Sequence, residues 1–246
     1  LQSRLAAKHL LFAHAAITDV QSGRLLHDQR MARWNGEMPT QTERGVFASE
    51  ADTRVVLRDW HIERAADGRY TTRIGGDALN IDLIAQPQQA WLLQGDEGFS
   101  RKGPDASQAS FYVSHPQLAV QGTLGIGRQR FAVTGTAWLD HEWSEALLHP
   151  EAVGWDWIGM NLLDGSALTA FQLRRKDGSK VWAGGSFRAA GSAQSPTDIY
   201  AFAAGEVDFR RLDGDVGRAD VHFRCAQIDL WGPNADWRGF DIDRRA

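Results

Sequence analysis

Apolar and polar residues alternate along most of this chain in short runs. Leu10 to Val20 reads as a strand, with Phe12 and His14 on one face and Ala13 and Ala15 on the other. Gln21-Ser22-Gly23 closes it as a turn. Residues 25–50 are polar and poorly patterned, with Met31-Ala32-Arg33-Trp34-Asn35-Gly36 as a short helix or a loop. Val55 to Glu63 alternates as one strand, and Asp67-Gly68 turns it into Tyr70 to Ile74. Ala78 to Ala85 follows, with Leu79, Ile81 and Leu83 on one face. Phe111-Tyr112-Val113 is a short strand ended by Pro116. Leu118 to Leu124 and Arg130 to Asp140 form a hairpin around Gly125-Ile126-Gly127-Arg128. Trp155 to Leu163, Ala167 to Arg174 and Lys180 to Arg188 are joined by Asp164-Gly165 and Asp177-Gly178. Gly191 to Thr197 is a polar loop, and Ala203 to Arg210 pairs with Val221 to Leu230 across Asp213-Gly214. Residues 1–9 form an arm or a short helix.

Four Asp-Gly dipeptides, each between alternating runs, do not suit a helical or βαβ protein. Short strands joined by tight turns predict an all-β chain, built as an antiparallel barrel or sandwich. No repeat of 20–50 residues is visible, which argues against a propeller. A soft boundary falls near residue 120 or in the 189–198 loop.

Composition narrows the function. The chain has 246 residues, 43% of them hydrophobic, enough for one large β domain or two small ones. A net charge of −4 with both signs mixed carries no nucleic-acid footprint. No apolar run is long enough for a membrane helix, and no cleavable leader or basic amphipathic helix is visible, so any membrane contact is peripheral. Cys225 is the single cysteine and has no intramolecular disulfide partner.

The chemistry concentrates in Thr134-Gly135-Thr136-Ala137-Trp138-Leu139-Asp140-His141-Glu142-Trp143-Ser144 and Gly154-Trp155-Asp156-Trp157-Ile158-Gly159, which hold four of the ten tryptophans. Strand alternation puts Thr136, Trp138, Asp140 and Glu142 on one face, and Ala137, Leu139, His141 and Trp143 on the other. Trp155 and Trp157 share a face, with Asp156 opposite. Asp140, His141 and Glu142 are therefore the candidate catalytic residues. Trp138, Trp143, Trp155 and Trp157 are candidate ligand-binding residues, joined by His14 on the first strand. An acid walled by indole is poorly solvated and can act as a proton donor beside an apolar ligand, and indole faces stabilise developing positive charge. The plainer alternative is a strand end whose polar groups satisfy backbone amides over tryptophans that fill a core. Asp140, His141, Glu142 and His149 match no metal-binding helix, so neither a metal nor a cofactor is expected. Gly122 to Gly127 lacks the strand-to-helix context of a phosphate loop, and no Gly-x-Ser-x-Gly elbow surrounds Ser100, Ser144 or Ser166. Gln172 and Arg174 share a strand face; an inward Arg174 would need a partner such as Asp156.

Leu93-Gln94-Gly95-Asp96-Glu97-Gly98-Phe99-Ser100-Arg101-Lys102-Gly103, Ala109-Ser110-Phe111-Tyr112, the Val133–Trp143 block and Gly154-Trp155-Asp156-Trp157 resemble the AttH-like and carotenoid 1,2-hydratase (hydroxyneurosporene synthase) family. Phe12-Ala13-His14-Ala15-Ala16-Ile17-Thr18-Asp19 fits the same family. The resemblance covers residues 10–190. It implies two lipocalin-like antiparallel β-barrels packed together around an apolar cavity, with residues 1–120 as the first and 121–246 as the second. It also implies an apolar polyene or terpenoid ligand, with acid-assisted hydration or cyclisation of a double bond as the activity. Other members are exported proteins associated with ABC transporters, which implies a non-catalytic lipid carrier as the alternative, a transporter as partner and a periplasmic or exported location. The family's Glu-Trp-Trp-Tyr signature and its glycine- and aromatic-rich C-terminal segment are not seen. Either the chain is incomplete or its barrels are shortened or joined differently.

Overall fold

The computed structural model describes residues 9–38, 45–145, 148–211 and 219–223, and every regular element among them is a strand apart from one short 3-10 turn. The expected arm before residue 9, the Asp213-Gly214 turn, Cys225 and the stretch 224–230 lie outside the described residues. The chain divides into two compact units, each made of two segments: residues 1–88 with 118–137, and residues 89–117 with 138–246. The sequence places a soft boundary near residue 120 or in the 189–198 loop; the two compact units are divided within two long strands, each of which gives one part to each unit.

The first unit begins with a hairpin of β1 (His9–Asp19) and β2 (Arg24–Trp34), turned at Gly23 with φ 66°. β2 corrects the expectation of a helix or loop around Met31. Its alternation is hidden because Leu25 and Met31 face outward while Arg30 faces inward. Arg30 is held there by Asp59 Oδ1 at 2.6 Å and the Gly75 carbonyl at 2.9 Å, and its guanidinium lies 4.9 Å from the centre of the Trp60 ring. The remaining strands are β3 (Gly45–Ala48), β4 (Arg54–Arg58), β5 (Trp60–Arg64), β6 (Tyr70–Gly75) and β7 (Leu79–Pro87), a simple antiparallel meander. The single strand expected from Val55 to Glu63 is two strands, reversed at Arg58-Asp59, where Arg58 takes φ 65°. Residues 118–126 and 129–137 complete the sheet beyond β7. Ala15, Ile17, Leu57, Trp60 and Leu79 form its core.

The second unit starts with β8 (Leu92–Leu93) and β9 (Phe99–Arg101), both paired with the first half of β10 (Ala109–Ile126). β10 does not end at Pro116 as expected. It passes through a kink where Gln117 takes φ 52° and donates its N–H to Asn161 Oδ1 at 2.7 Å. Proline is tolerated in a strand at such an irregularity. β11 (Gln129–Trp143) lies beside β10 and carries the Asp140–Trp143 block inside the strand, not beyond its end. A four-stranded sheet follows: β12 (Gly154–Asn161), β13 (Ala167–Arg174), β14 (Lys180–Arg188) and β15 (Tyr200–Phe202). Gly165 and Gly178 turn it at φ 90° and 82°, conformations open to glycine. Ile158, Met160, Leu168, Ala170, Ala183, Phe202 and Val207 make its core. β16 (Val207–Arg211) and β17 (Ala219–Phe223) form a last hairpin. The all-β expectation holds. Among the described residues none of the sheets closes into a barrel.

Candidate functional site

The second unit contains a cavity of about 490 Å³. Its walls come from the loop after β9, the start of β10, the end of β11, and β12 and β13. Trp143, Trp155, Trp157, Phe171, Leu148 and Leu173 supply its apolar surface, and Lys102, Ser110, Tyr112 and Glu142 supply a polar wall. Trp155 is 63% exposed and Trp157 38%. Indole surface left open inside a hollow is surface available to a ligand.

The polar wall follows from strand alternation. Ser110, Tyr112 and Ser114 lie on one face of β10, all buried, while Phe111 points away and is exposed. On neighbouring β11, Trp138, Asp140 and Glu142 face the same way. Asp140 Oδ1 accepts three hydrogen bonds, from Tyr112 Oη at 2.9 Å, Ser114 Oγ at 2.6 Å and Trp138 Nε1 at 2.8 Å. The direction of these bonds is fixed from behind. The Tyr112 oxygen already accepts from Trp157 Nε1 at 3.0 Å, and the Ser114 oxygen from Gln94 Nε2 at 2.9 Å. Both hydroxyl protons must therefore point at Asp140. Gln94 also donates to Thr169 at 2.8 Å, tying the network to β13.

Glu142 sits two residues further along and accepts from Ser110 Oγ and from Lys102 Nζ, the latter at 2.9 Å. Lys102 Nζ also bonds Ser100 Oγ at 3.1 Å and lies 4.2 Å from the Phe171 ring centre and 4.7 Å from that of Tyr112. Burial pushes the Lys102 ammonium below its ordinary pKa; the Glu142 and Asp140 charges oppose this without cancelling it. Burial, reinforced by Asp140, pushes the Tyr112 phenol well above its ordinary range, so it stays a neutral donor.

The structure thus gathers Glu142, Trp143, Trp155 and Trp157 of the predicted site residues on the cavity wall, with Asp140 and Trp138 bonded behind it. Asp140, Glu142 and Trp143 are not sealed from solvent, yet the cavity lies directly beside this block. His141 points to the other face of β11, exposed, with its ring 5.3 Å from that of Trp143. His14 is on the exposed face of β1 in the first unit and does not line the cavity. Asp156 turns away from the cavity and pairs with Arg174 at 2.7 Å, the partner foreseen for an inward Arg174. Sequence reasoning missed Lys102, Ser110, Tyr112 and Ser114. The Ser-x-Tyr-x-Ser alternation of 110–114 was the available signal; nothing local marks Lys102.

Gly159 shapes the indole wall. A Cβ there would lie 2.6 Å from Trp157 Cη2 and 3.1 Å from Trp138 Cε2, so the absence of a side chain is what lets both rings lie over β12.

Fold and site together define an all-β cavity protein with a carboxylate, phenol and lysine cluster set against tryptophan. The AttH-like family model matches residues 1–213, and the chain belongs to that family. A crystal structure of an AttH protein from Nitrosomonas europaea is 44% identical, with a TM-score of 0.75, over 86% of this chain and 62% of that one. Kievitone hydratase from Nectria haematococca has the same fold at a TM-score of 0.60, with 11% identity over 83% of this chain and 57% of that one. The chain spans less than two thirds of either protein's length. No curated protein matches it.

Proposed function

We propose that the protein takes an apolar unsaturated molecule, of polyene or terpenoid type, into the second unit's cavity and adds water across a double bond, or cyclises the ligand there, by acid assistance. The observation that carries this reading is the polar wall: a simple lipid carrier gains nothing from a buried lysine and a buried phenol held against two carboxylates beside its ligand, because burying the lysine and the phenol costs desolvation. In this reading Glu142 delivers the proton. It faces the cavity, and the neighbouring lysine, whose ammonium burial weakens, can return a proton to it. Asp140, accepting from three fixed donors, serves as a standing negative charge, and the indoles of Trp155 and Trp157 face the cation as it develops. Water then attacks the cation and its proton leaves to a carboxylate. The likeness in fold to a hydratase is compatible with this. We likewise read the two units as the family's two lipocalin-like barrels.

The test is product formation from a panel of acyclic terpenoids in ¹⁸O-labelled water, read by mass spectrometry, with Glu142→Gln in parallel. Labelled product from the wild type and a loss of about 10²-fold or more in the variant is expected for removal of a general acid. Ligands that bind and return unaltered would make the protein a carrier.

A further inference from the structure

Lys102 has surroundings that proton transfer alone does not require. Its Nζ is at the cavity wall, on a side chain only 15% exposed, between the faces of Tyr112 and Phe171 and 2.9 Å from Glu142. Its main chain is anchored by an N–H bond to the Gln108 carbonyl at 2.7 Å, which holds the base of the loop that presents it. A carboxylate partner, two aromatic faces and an apolar hollow together suit an amine that becomes a covalently held cation. A desolvated lysine in an apolar pocket is a nucleophile for carbonyl carbon.

We propose that Lys102 forms an imine with the aldehyde group of an apolar α,β-unsaturated ligand bound in the cavity. The inference rests on the proposed function only in sharing its cavity. With the pair's proton on Glu142, the Nζ lone pair attacks the carbonyl carbon. The carbonyl π electrons move to oxygen, which takes up a proton as Nζ gives one up, leaving a carbinolamine. The hydroxyl leaves as water with the proton supplied by Glu142, and the C=N bond forms as a positively charged iminium. Glu142, now anionic, is its counter-ion at the position where it pairs with the ammonium now. Aldehyde and ammonium go in; iminium and one water come out. No redox partner is needed. The iminium withdraws electrons from the conjugated double bond, so the carbon distal to nitrogen becomes the one that accepts water. Hydration of such a ligand needs no free carbocation.

The test uses citral, an apolar α,β-unsaturated aldehyde, with borohydride to trap the iminium as a secondary amine, followed by peptide mapping. The chain has four lysines, Lys8, Lys102, Lys176 and Lys180, so the site is unambiguous. The expected result is one adduct, on the peptide carrying Lys102, with a mass increment equal to the aldehyde less its oxygen. The adduct should fall about tenfold or more in Lys102→Arg, which keeps the charge and cannot form the imine, and in Lys102→Met. Circular dichroism and thermal unfolding show whether each variant folds. No adduct, or one spread evenly over all four lysines, overturns the proposal. Wild-type binding of geraniol, the matching alcohol, is measured alongside by tryptophan quenching. Geraniol binding without an adduct removes the lysine chemistry and leaves the proposed function standing. An adduct on Lys102 without geraniol binding upholds the lysine chemistry and removes the cavity reading for non-carbonyl ligands.

Discussion

Asp140 is where the site's hydrogen bonds end, so cutting it out tests the network as a whole. In Asp140→Ala, the Tyr112 and Ser114 hydroxyls and the Trp138 N–H lose their acceptor. Tyr112 is 3% exposed and Ser114 1%, and each oxygen already accepts from Trp157 or Gln94, so both protons lose their charged acceptor inside the protein. A buried donor left unsatisfied costs about 1–3 kcal/mol. The two buried hydroxyl donors alone would give about 2–6 kcal/mol by that rule, and water entering through the open side of Asp140 brings the expectation down to about 2–3 kcal/mol. Asp140→Asn keeps Oδ1 as an acceptor but loses its charge. Charge-assisted bonds are worth about 1 kcal/mol more each than neutral ones, so after the same allowance Asn should cost about 1–2 kcal/mol. The assay is urea unfolding followed in parallel by tryptophan fluorescence and circular dichroism. The stability change is taken from the midpoint shift at constant slope. The ordering wild type, Asn, Ala is the informative result. Equal losses below about 0.5 kcal/mol in both variants, within the range of an ordinary surface change, would refute the convergence argument.

Three further outcomes follow from the same geometry. Gly159→Ala should cost about 1–3 kcal/mol by overpacking and shift the fluorescence of Trp157 and Trp138, since the new methyl occupies the place of their rings; an unchanged spectrum would count against the ring positions. The raised Tyr112 phenol means that above pH 10 the unfolded chain releases a proton that the folded chain retains, so its contribution to stability is lost as pH rises. Tyr112→Phe should therefore leave the native tyrosinate absorbance titration unchanged while removing one tyrosine's amplitude in urea. Arg188 is 1% exposed and donates to the carbonyls of Ala90, Trp91 and Ser195 and to Gln89 Oε1; Arg188→Met should cost about 2–4 kcal/mol in urea unfolding by orphaning them.

The fold was legible where turn chemistry is local. Asp67-Gly68, Asp164-Gly165 and Asp177-Gly178 all turn hairpins, with each glycine at positive φ. It was illegible where the chain does something its local residues do not announce. Arg58 reverses the chain without glycine or proline, β10 continues through Pro116, and β2 turns a half-buried arginine inward while exposing Met31. The site divides in the same way. The tryptophan and acid block is a local concentration, and the face shared by Trp138, Asp140 and Glu142 follows from alternation alone. Tyr112 and Ser114 acquire meaning only once β10 is known to lie beside β11. A lysine ahead of Gly103-Pro104 reads as solvated loop. Its burial comes from Phe171 on β13, a contact that no window around residue 102 contains.

The polarity of the network bears on how a ligand would be oriented. Trp157 donates to Tyr112, Tyr112 to Asp140, Gln94 to Ser114 and Ser114 to Asp140, so every proton in the chain points the same way. Aligned bonds reinforce one another in a poorly solvated setting. Together they aim two hydroxyl donors at Asp140 beside the Trp138 N–H. Lys102 and Glu142 lie 2.9 Å apart as an ion pair at the cavity wall itself. A ligand whose electron-rich end lies at Lys102 and whose developing positive carbon lies toward Tyr112 and Trp157 meets favourable charge at both ends; the reversed ligand meets it at neither. On the proposed reading the mutational signature is distinct: Glu142→Gln, which keeps an acceptor for Ser110, and Lys102→Arg, which keeps the charge, should change the chemistry first, whereas substitutions at Asp140 should cost stability first.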